Sequence, residues 1–205
     1  MNLFGLLGFP LGHSFSKTYF TEKFKAEGIN AEFVNFEFND IKQMQQIIHN
    51  TPNLKGFAVT IPYKEKIIPL LNHISKEAKA IGAVNSVRVE HTLYGPILTG
   101  YNTDVRGFKE SLLQFIPCVP RQALLLGTGG ASKAVKYALE SIDIKVITVS
   151  RTPRTSSYIS YDQILQHLSH SHLIVNATPV GTWPHVTDYP DIPYNHLTAD
   201  HYLFD

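Results

Sequence analysis

The clearest chemical signal in the sequence is a run of glycines, Gly127, Gly129 and Gly130, in Leu124-Leu125-Leu126-Gly127-Thr128-Gly129-Gly130-Ala131-Ser132. An apolar run precedes it and a helix-forming stretch, Ala131–Ser141, follows. Glycines at a strand-to-helix turn let the backbone approach a pyrophosphate, and the helix start at Ala131 supplies amide donors and a positive dipole end. The next strand, Val146-Ile147-Thr148-Val149, runs into Ser150-Arg151-Thr152-Pro153-Arg154. Arg151 stands 21 residues beyond Gly130, where a carboxylate would bond the ribose 2′-hydroxyl of NAD. Two guanidiniums occupy that stretch instead, and their forked donors suit a 2′-phosphate, so Ser150, Arg151, Thr152 and Arg154 favour NADP. The plain alternative is a pair of solvated surface arginines. Further on, Asn176-Ala177-Thr178-Pro179-Val180-Gly181 ends another strand, where Thr178 reads either as a nicotinamide-side wall or as part of a structural turn.

A second group of polar residues lies in the first half, each in a loop that follows an apolar run. These are Ser14 and Ser16, Thr60 and Lys64, Asn85, and the trio Asn102, Thr103 and Asp104. Hydroxyls, amides, one ammonium and one carboxylate suit a small polyhydroxylated acid.

The elements that must position these groups alternate in type. Leu3–Gly8, Glu32–Phe38, Lys55–Thr60, Val84–Val89 and Ile97–Thr99 read as strands. Helices are expected over Lys17–Glu27 with Ser16 as cap, from Ile41 to Ile48 behind Asn39-Asp40, over Lys64–Leu71, over Ser75–Ile81 and over Asp104–Phe115. Past Pro117 and Pro120 come strands at Gln122–Leu126, Lys145–Ser150 and His172–Asn176, with a helix around Tyr161–Leu168. The fold class is α/β with mainly parallel sheets: an α/β domain over residues 1–103, a linking helix and hinge over 104–120, and a dinucleotide-binding domain over 121–205.

Composition narrows the partners. The chain has 205 residues, 43% hydrophobic and 17% charged, and its net charge is +1. That balance leaves no electrostatic footprint for nucleic acid or an anionic membrane, so a charged ligand must be held locally. The single cysteine, Cys118, excludes an internal disulfide and fits a reducing, cytoplasmic compartment. No stretch approaches the roughly 20 apolar residues of a membrane helix, and the N-terminus makes a poor signal peptide.

Taken in order, the Ser14/Ser16 loop, Ala58-Val59-Thr60-Ile61-Pro62-Tyr63-Lys64, Gly82-Ala83-Val84-Asn85-Ser86, Gly100-Tyr101-Asn102-Thr103-Asp104, the glycine loop and Ser150-Arg151-Thr152 resemble shikimate dehydrogenase. The resemblance runs from the N-terminus to about Gly181. It implies a substrate-binding α/β domain followed by a Rossmann NADP-binding domain, and reversible reduction of 3-dehydroshikimate to shikimate with NADPH on the route to aromatic amino acids. It further implies that Ser14 and Ser16 bind the substrate carboxylate, that Thr60, Asn85 and Asp104 bind ring hydroxyls, and that Lys64 and Asp104 form the catalytic pair. The chemistry agrees, since hydride delivered to a ketone leaves negative charge on oxygen that a positioned acid must protonate. Lys17 and Ser150 depart tolerably from the family pattern, which has Pro and often Asn there. Family members also continue past the Leu203-Phe204-Asp205 strand into a segment bearing a substrate-binding Gln. A chain ending at Asp205 is therefore expected to keep its site residues but to be poorly active or inactive.

Other signals are weaker. His167, His170 and His172 straddle a helix end and a strand start, so no metal is expected. His13 reads as structural, Cys118 as inert, and Trp183 as a cofactor cover or a loop edge. The competing readings are a quinate/shikimate dehydrogenase of mixed cofactor use, a non-catalytic shikimate- or NADP-binding relative, and an inactive fragment. The expected partner is a small molecule, with the chain a monomer or homodimer.

Overall fold

The structure is a computed structural model that describes residues 1–12, 14–153 and 157–205. The chain divides into two compact units, Met1–Thr103 and Asp104–Asp205.

The first unit is built on a six-stranded sheet. Its strands are β1 (Asn2–Gly8), β2 (Ala31–Glu37), β3 (Leu54–Val59), β4 (His73–Ile74), β5 (Ser86–Thr92) and β6 (Gly95–Tyr101), in the order β2-β1-β3-β5-β6-β4. β1 pairs in parallel with β2 and β3, and β4 with β6, whereas β5 runs against both its neighbours. The sheet is thus parallel-rich but mixed. Alternation of side chains across the sheet divides the apolar residues between its faces. Leu7, Phe57 and Val59 pack with Met44 and Ile48 of α2 (Lys42–Asn50) on one face. Leu6 and Phe33 pack with Phe20 and Phe24 of α1 (Phe15–Ala26) on the other, where the Phe20 and Phe33 rings stack at 4.7 Å.

Local chemistry corrects several expected boundaries. α1 starts two residues early, with Ser14 in extended backbone at the cap position and Ser16 inside the first turn, so Ser16 does not cap it. The expected helix over Lys64–Leu71 is a series of turns with one 3-10 turn, Ile68–Leu70. Pro69 lacks the N–H that a continuing α-helix needs there. α3 (Lys76–Ile81) forms as expected, and the Ser75 hydroxyl accepts the Ala78 N–H at 3.1 Å. The two-residue strand β4 is too short to leave a periodic signature in sequence.

The second unit has a five-stranded, wholly parallel sheet. Its strands β7 (Gln122–Leu126), β8 (Lys145–Val149), β9 (Tyr158–Ile159), β10 (Leu173–Asn176) and β11 (Tyr202–Phe204) stand in the order β11-β10-β7-β8-β9. Counted from β7 this is 3-2-1-4-5, the doubly wound dinucleotide-binding order, with its switch point between β7 and β10. Ala123 and Leu125 face α4 (Asp104–Phe115) and α5 (Gly130–Glu140) through Leu112, Ile116, Val135 and Leu139. Leu124 and Leu126 face the opposite side with Val149, Ile164, Leu168 and Ile192. The expected helix around Tyr161–Leu168 is a pair of 3-10 helices, Tyr161–Gln166 and Leu168–His170.

Tyr63 ties the loop after β3 to the end of β2. It is 2% exposed, and its hydroxyl donates to the Phe38 carbonyl. Burial pushes its phenol above the ordinary tyrosine range, and the Asp40 charge adds to that. A raised folded-state value favours the folded protein while the phenol stays protonated, and that contribution fades as pH rises through it. Tyr63→Phe is expected to cost about 0.5–1.5 kcal/mol in urea unfolding at neutral pH. It should also flatten the loss of stability above about pH 10. An unchanged alkaline profile would separate Tyr63 from that loss.

Candidate active site

In the first unit, strand direction gathers the candidate groups at one sheet edge. β1 and β3 are parallel and end there, at Gly8 and Val59. β5 is antiparallel and begins there, its Ser86 paired with Ala58 of β3 and with Tyr101 at the end of β6. The loops bearing Ser14, Thr60, Lys64, Asn85 and Thr103 therefore share this edge.

Backbone bonds stitch these loops together. Thr60 N–H donates to Leu7 (2.8 Å), Val59 N–H to Asn85 (2.8 Å), Val84 N–H to Lys64 (2.8 Å) and Asn85 N–H to Tyr101 (3.0 Å). A Cβ on Gly8 would sit 2.5 Å from Thr60 Cγ2 and 2.6 Å from Leu11 Cδ2, so any larger residue would have to push both side chains aside. Leu11 N–H in turn donates to the Glu37 carboxylate at 2.9 Å. Ser14 and Ser16 are half-buried at the N-terminal end of α1. The Ser14 side chain makes no capping bond, and no acidic residue lies in the first turn. Two hydroxyls beside first-turn amides form a local anion-favouring corner.

Asn85 is braced by Thr103. Its Oδ1 accepts the Thr103 N–H (2.9 Å), and its Nδ2 donates to Thr103 Oγ1 (2.9 Å). Asn102, 5% exposed, donates from Nδ2 to the Ala83 carbonyl at 3.0 Å. Asn102 and Thr103 thus act as braces that hold the Gly82–Asn85 turn against the end of β6. Lys64 is half-buried in the loop after β3. Asp104 opens α4, one residue past Thr103 and in the second unit.

In the second unit the glycine loop lies at the switch point. Gly127 has φ +111°, which favours glycine, and its N–H donates to Val149 at 3.0 Å. A Cβ there would meet the Ala177 carbonyl oxygen at 2.8 Å, so the loop touches the segment that leaves β10. Ser132, 3% exposed, donates its hydroxyl to the Gly127 carbonyl at 2.6 Å and clamps the turn to α5. A Cβ on Gly129, at the cap of α5, would meet nothing within 4 Å, which leaves open room over the Gly130 and Ala131 end of the helix. At the end of β8, Ser150 is buried and its Oγ accepts the Thr152 N–H at 3.2 Å. Exposed Arg151 lies between those two residues. His13 and Arg154 fall outside the described residues. Room above a helix N-terminus, a guanidinium at the second strand end and no carboxylate beside it there match a phosphorylated dinucleotide.

Thr178, half-buried, has its hydroxyl bonded within its own loop, donating to Asn176 Oδ1 at 2.6 Å and accepting the Val180 N–H at 3.2 Å. The same edge carries a cavity of about 300 Å³ whose lining includes Leu126, Asn176, Val180, Tyr189 and Phe204. Among the described residues no group of three or more His, Cys, Asp or Glu could hold a metal ion. Cys118 is exposed. No described helix is long and apolar enough to cross a membrane.

Residues 6–87 match the family model of the shikimate dehydrogenase substrate binding domain. The shikimate dehydrogenase (NADP(+)) of Carboxydothermus hydrogenoformans is 34% identical, over 99% of this chain and 77% of its own length. The crystal structure of shikimate dehydrogenase from Aquifex aeolicus superposes with a TM-score of 0.85 at 34% identity, covering 99% of this chain and 77% of that one. Shikimate 5-dehydrogenase from Thermus thermophilus, in complex with NADP(H) and shikimate, gives 0.78 at 29% identity, covering 95% and 74%.

The glycine loop yields a direct check. Gly127→Ala forces a positive φ on a residue with a side chain and drives a Cβ against the Ala177 carbonyl. We expect a loss of about 1–3 kcal/mol in thermal or urea unfolding. A variant as stable as the parent would show that the loop relaxes freely.

Proposed function

The chain belongs to the shikimate dehydrogenase family, and from that premise we propose how its residues carry the reversible, NADP-dependent conversion of 3-dehydroshikimate to shikimate. The observation that carries the reading is the single-edge convergence of Ser14, Thr60, Lys64, Asn85 and Thr103 in a unit followed directly by a glycine-loop dinucleotide fold.

In this reading Ser14 and Ser16 hold the substrate carboxylate by their hydroxyls, helped by the first amides of α1. Thr60 and Asn85 take ring hydroxyls. Asn85 suits that role because Thr103 fixes its carboxamide from two sides. Asp104 accepts from the hydroxyl adjoining the reacting carbon. Lys64 Nζ donates a proton to the carbonyl oxygen as negative charge develops there in reduction, and takes it back in oxidation. Gly127, Gly129, Gly130 and Ala131 receive the pyrophosphate, and Ser150, Arg151, Thr152 and Arg154 the phosphorylated ribose, with Thr178 on the nicotinamide side. When bound, NADP supplies or accepts the hydride.

The near-neutral charge of +1 argues against nucleic acid or an anionic membrane as partner and calls for a locally built anion site. We place the enzyme in the cytoplasm, acting as a monomer or homodimer. The lone exposed Cys118 fits that compartment.

Two substitutions test these roles. Lys64→Ala is expected to lower kcat at least a hundredfold, in keeping with a general acid, while NADP titration stays within about twofold. A retained rate would remove Lys64 from proton transfer. Arg151→Ala is expected to weaken NADP by about ten- to a hundredfold and NAD hardly at all, as loss of a charge-assisted contact predicts. Equal weakening of both dinucleotides would refute a 2′-phosphate contact and favour mixed cofactor use.

A further inference from the structure

We propose that Asn176 is a positioning residue for the nicotinamide half of the cofactor, an inference that rests on the cofactor reading above. The sheet order sets the direction. The glycine loop follows the central strand β7, and Arg151 follows β8 on one side of it. With the pyrophosphate over the glycine loop and the phosphorylated ribose at Arg151, the other half of the dinucleotide must extend over β10. Asn176 closes β10, and the segment it controls, Ala177–Gly181, is the one that meets Gly127.

Both ends of the Asn176 carboxamide are engaged. Oδ1 accepts from the Thr178 N–H (3.1 Å) and the Thr178 hydroxyl (2.6 Å). Nδ2 donates to the Val180 carbonyl (3.2 Å) and to Asp205 Oδ1 (3.3 Å). Thr178 Oγ1 completes the ring by accepting the Val180 N–H at 3.2 Å. A hydroxyl has one proton, and that of Thr178 is committed to Asn176. The Thr178 hydroxyl therefore staples the loop, and its contribution to the cofactor is the shape it holds.

Only an amide serves all these partners. Aspartate would keep the acceptor, lose both donors and set a second carboxylate against Asp205. Alanine would lose every bond, freeing the Ala177 carbonyl to shift against Gly127. The same loop also lines a cavity of about 300 Å³ through Asn176, Val180 and Gly181. Arg151 lies two strands away, at the end of β8.

The test uses two probes that share the adenosine half. NADPH carries the nicotinamide; adenosine 2′,5′-bisphosphate lacks it. In fluorescence and calorimetric titrations, Asn176→Ala is expected to weaken NADPH about tenfold while leaving the bisphosphate within about twofold. Unchanged affinity for both probes would overturn the proposal. Equal weakening of both would overturn it too, because that is how general damage to the unit behaves. Asn176→Asp, of nearly the same size, carries the same comparison where the alanine variant fails to fold. Arg151→Ala separates the two readings, since it should weaken both probes. If it weakens neither, the cofactor reading itself fails.

Discussion

A β-strand delivers the loop that follows it to one edge of its sheet, and every proposed site group in this protein depends on that delivery. In the first unit β1, β3 and β6 end at the same edge, and β5, running against its neighbours, begins there. Four loops distant in sequence thus become neighbours without any element having to bend. In the second unit all five strands are parallel, so the glycine loop, the Arg151 turn and the Asn176 loop leave one edge in the same sense. Loops carry the chemistry, and a packed sheet holds them in place.

Polar bonds fix the loops against the sheet, beside buried apolar anchors such as Leu11, Ile67 and Val84. Asn85 with Thr103, Asn102 with Ala83, Tyr63 with Phe38, and Ser132 with Gly127 each tie a site loop to a neighbouring strand end or helix. Each such bond contributes only about 0.5–1.5 kcal/mol to stability. Their larger consequence is geometric, because a hydride donor and acceptor misplaced by about 1 Å can lose on the order of a hundredfold in rate. Glycines at 8 and 127 serve the same end by allowing backbone to approach where a side chain would collide.

Much of this was legible in the residues themselves, and the limits follow from range. The glycine loop, its flanking strand and helix, and the arginine at the second strand end are contiguous signals, and the structure has them in that arrangement. The serines near α1 were legible as a cluster, though the helix boundary moved and Ser14, not Ser16, took the cap position. The Tyr94-Gly95 turn marked β5 and β6 as neighbours joined by a tight connection, which makes them antiparallel; the pairing of β5 against β3, far back in the chain, was not legible. Bonds such as Asn85 to Thr103, 18 residues apart, or Leu11 to Glu37, 26 apart, exist only once the sheet has formed. Asn176 read as one polar residue in a turn; three of its contacts lie within its own loop, and only the one to Asp205 needs β10 and β11 in register.

The central claim is that this chain joins a shikimate site to a phosphate-selective dinucleotide site. Its most direct test is shikimate-dependent reduction of NADP, followed by absorbance, with NAD run in parallel at matched concentrations. The account predicts that NADP is reduced only when shikimate is present, with kcat/KM for NADP about tenfold or more above that for NAD. Reduction that proceeds equally with either dinucleotide, or reduction of NADP that does not depend on shikimate, would contradict it.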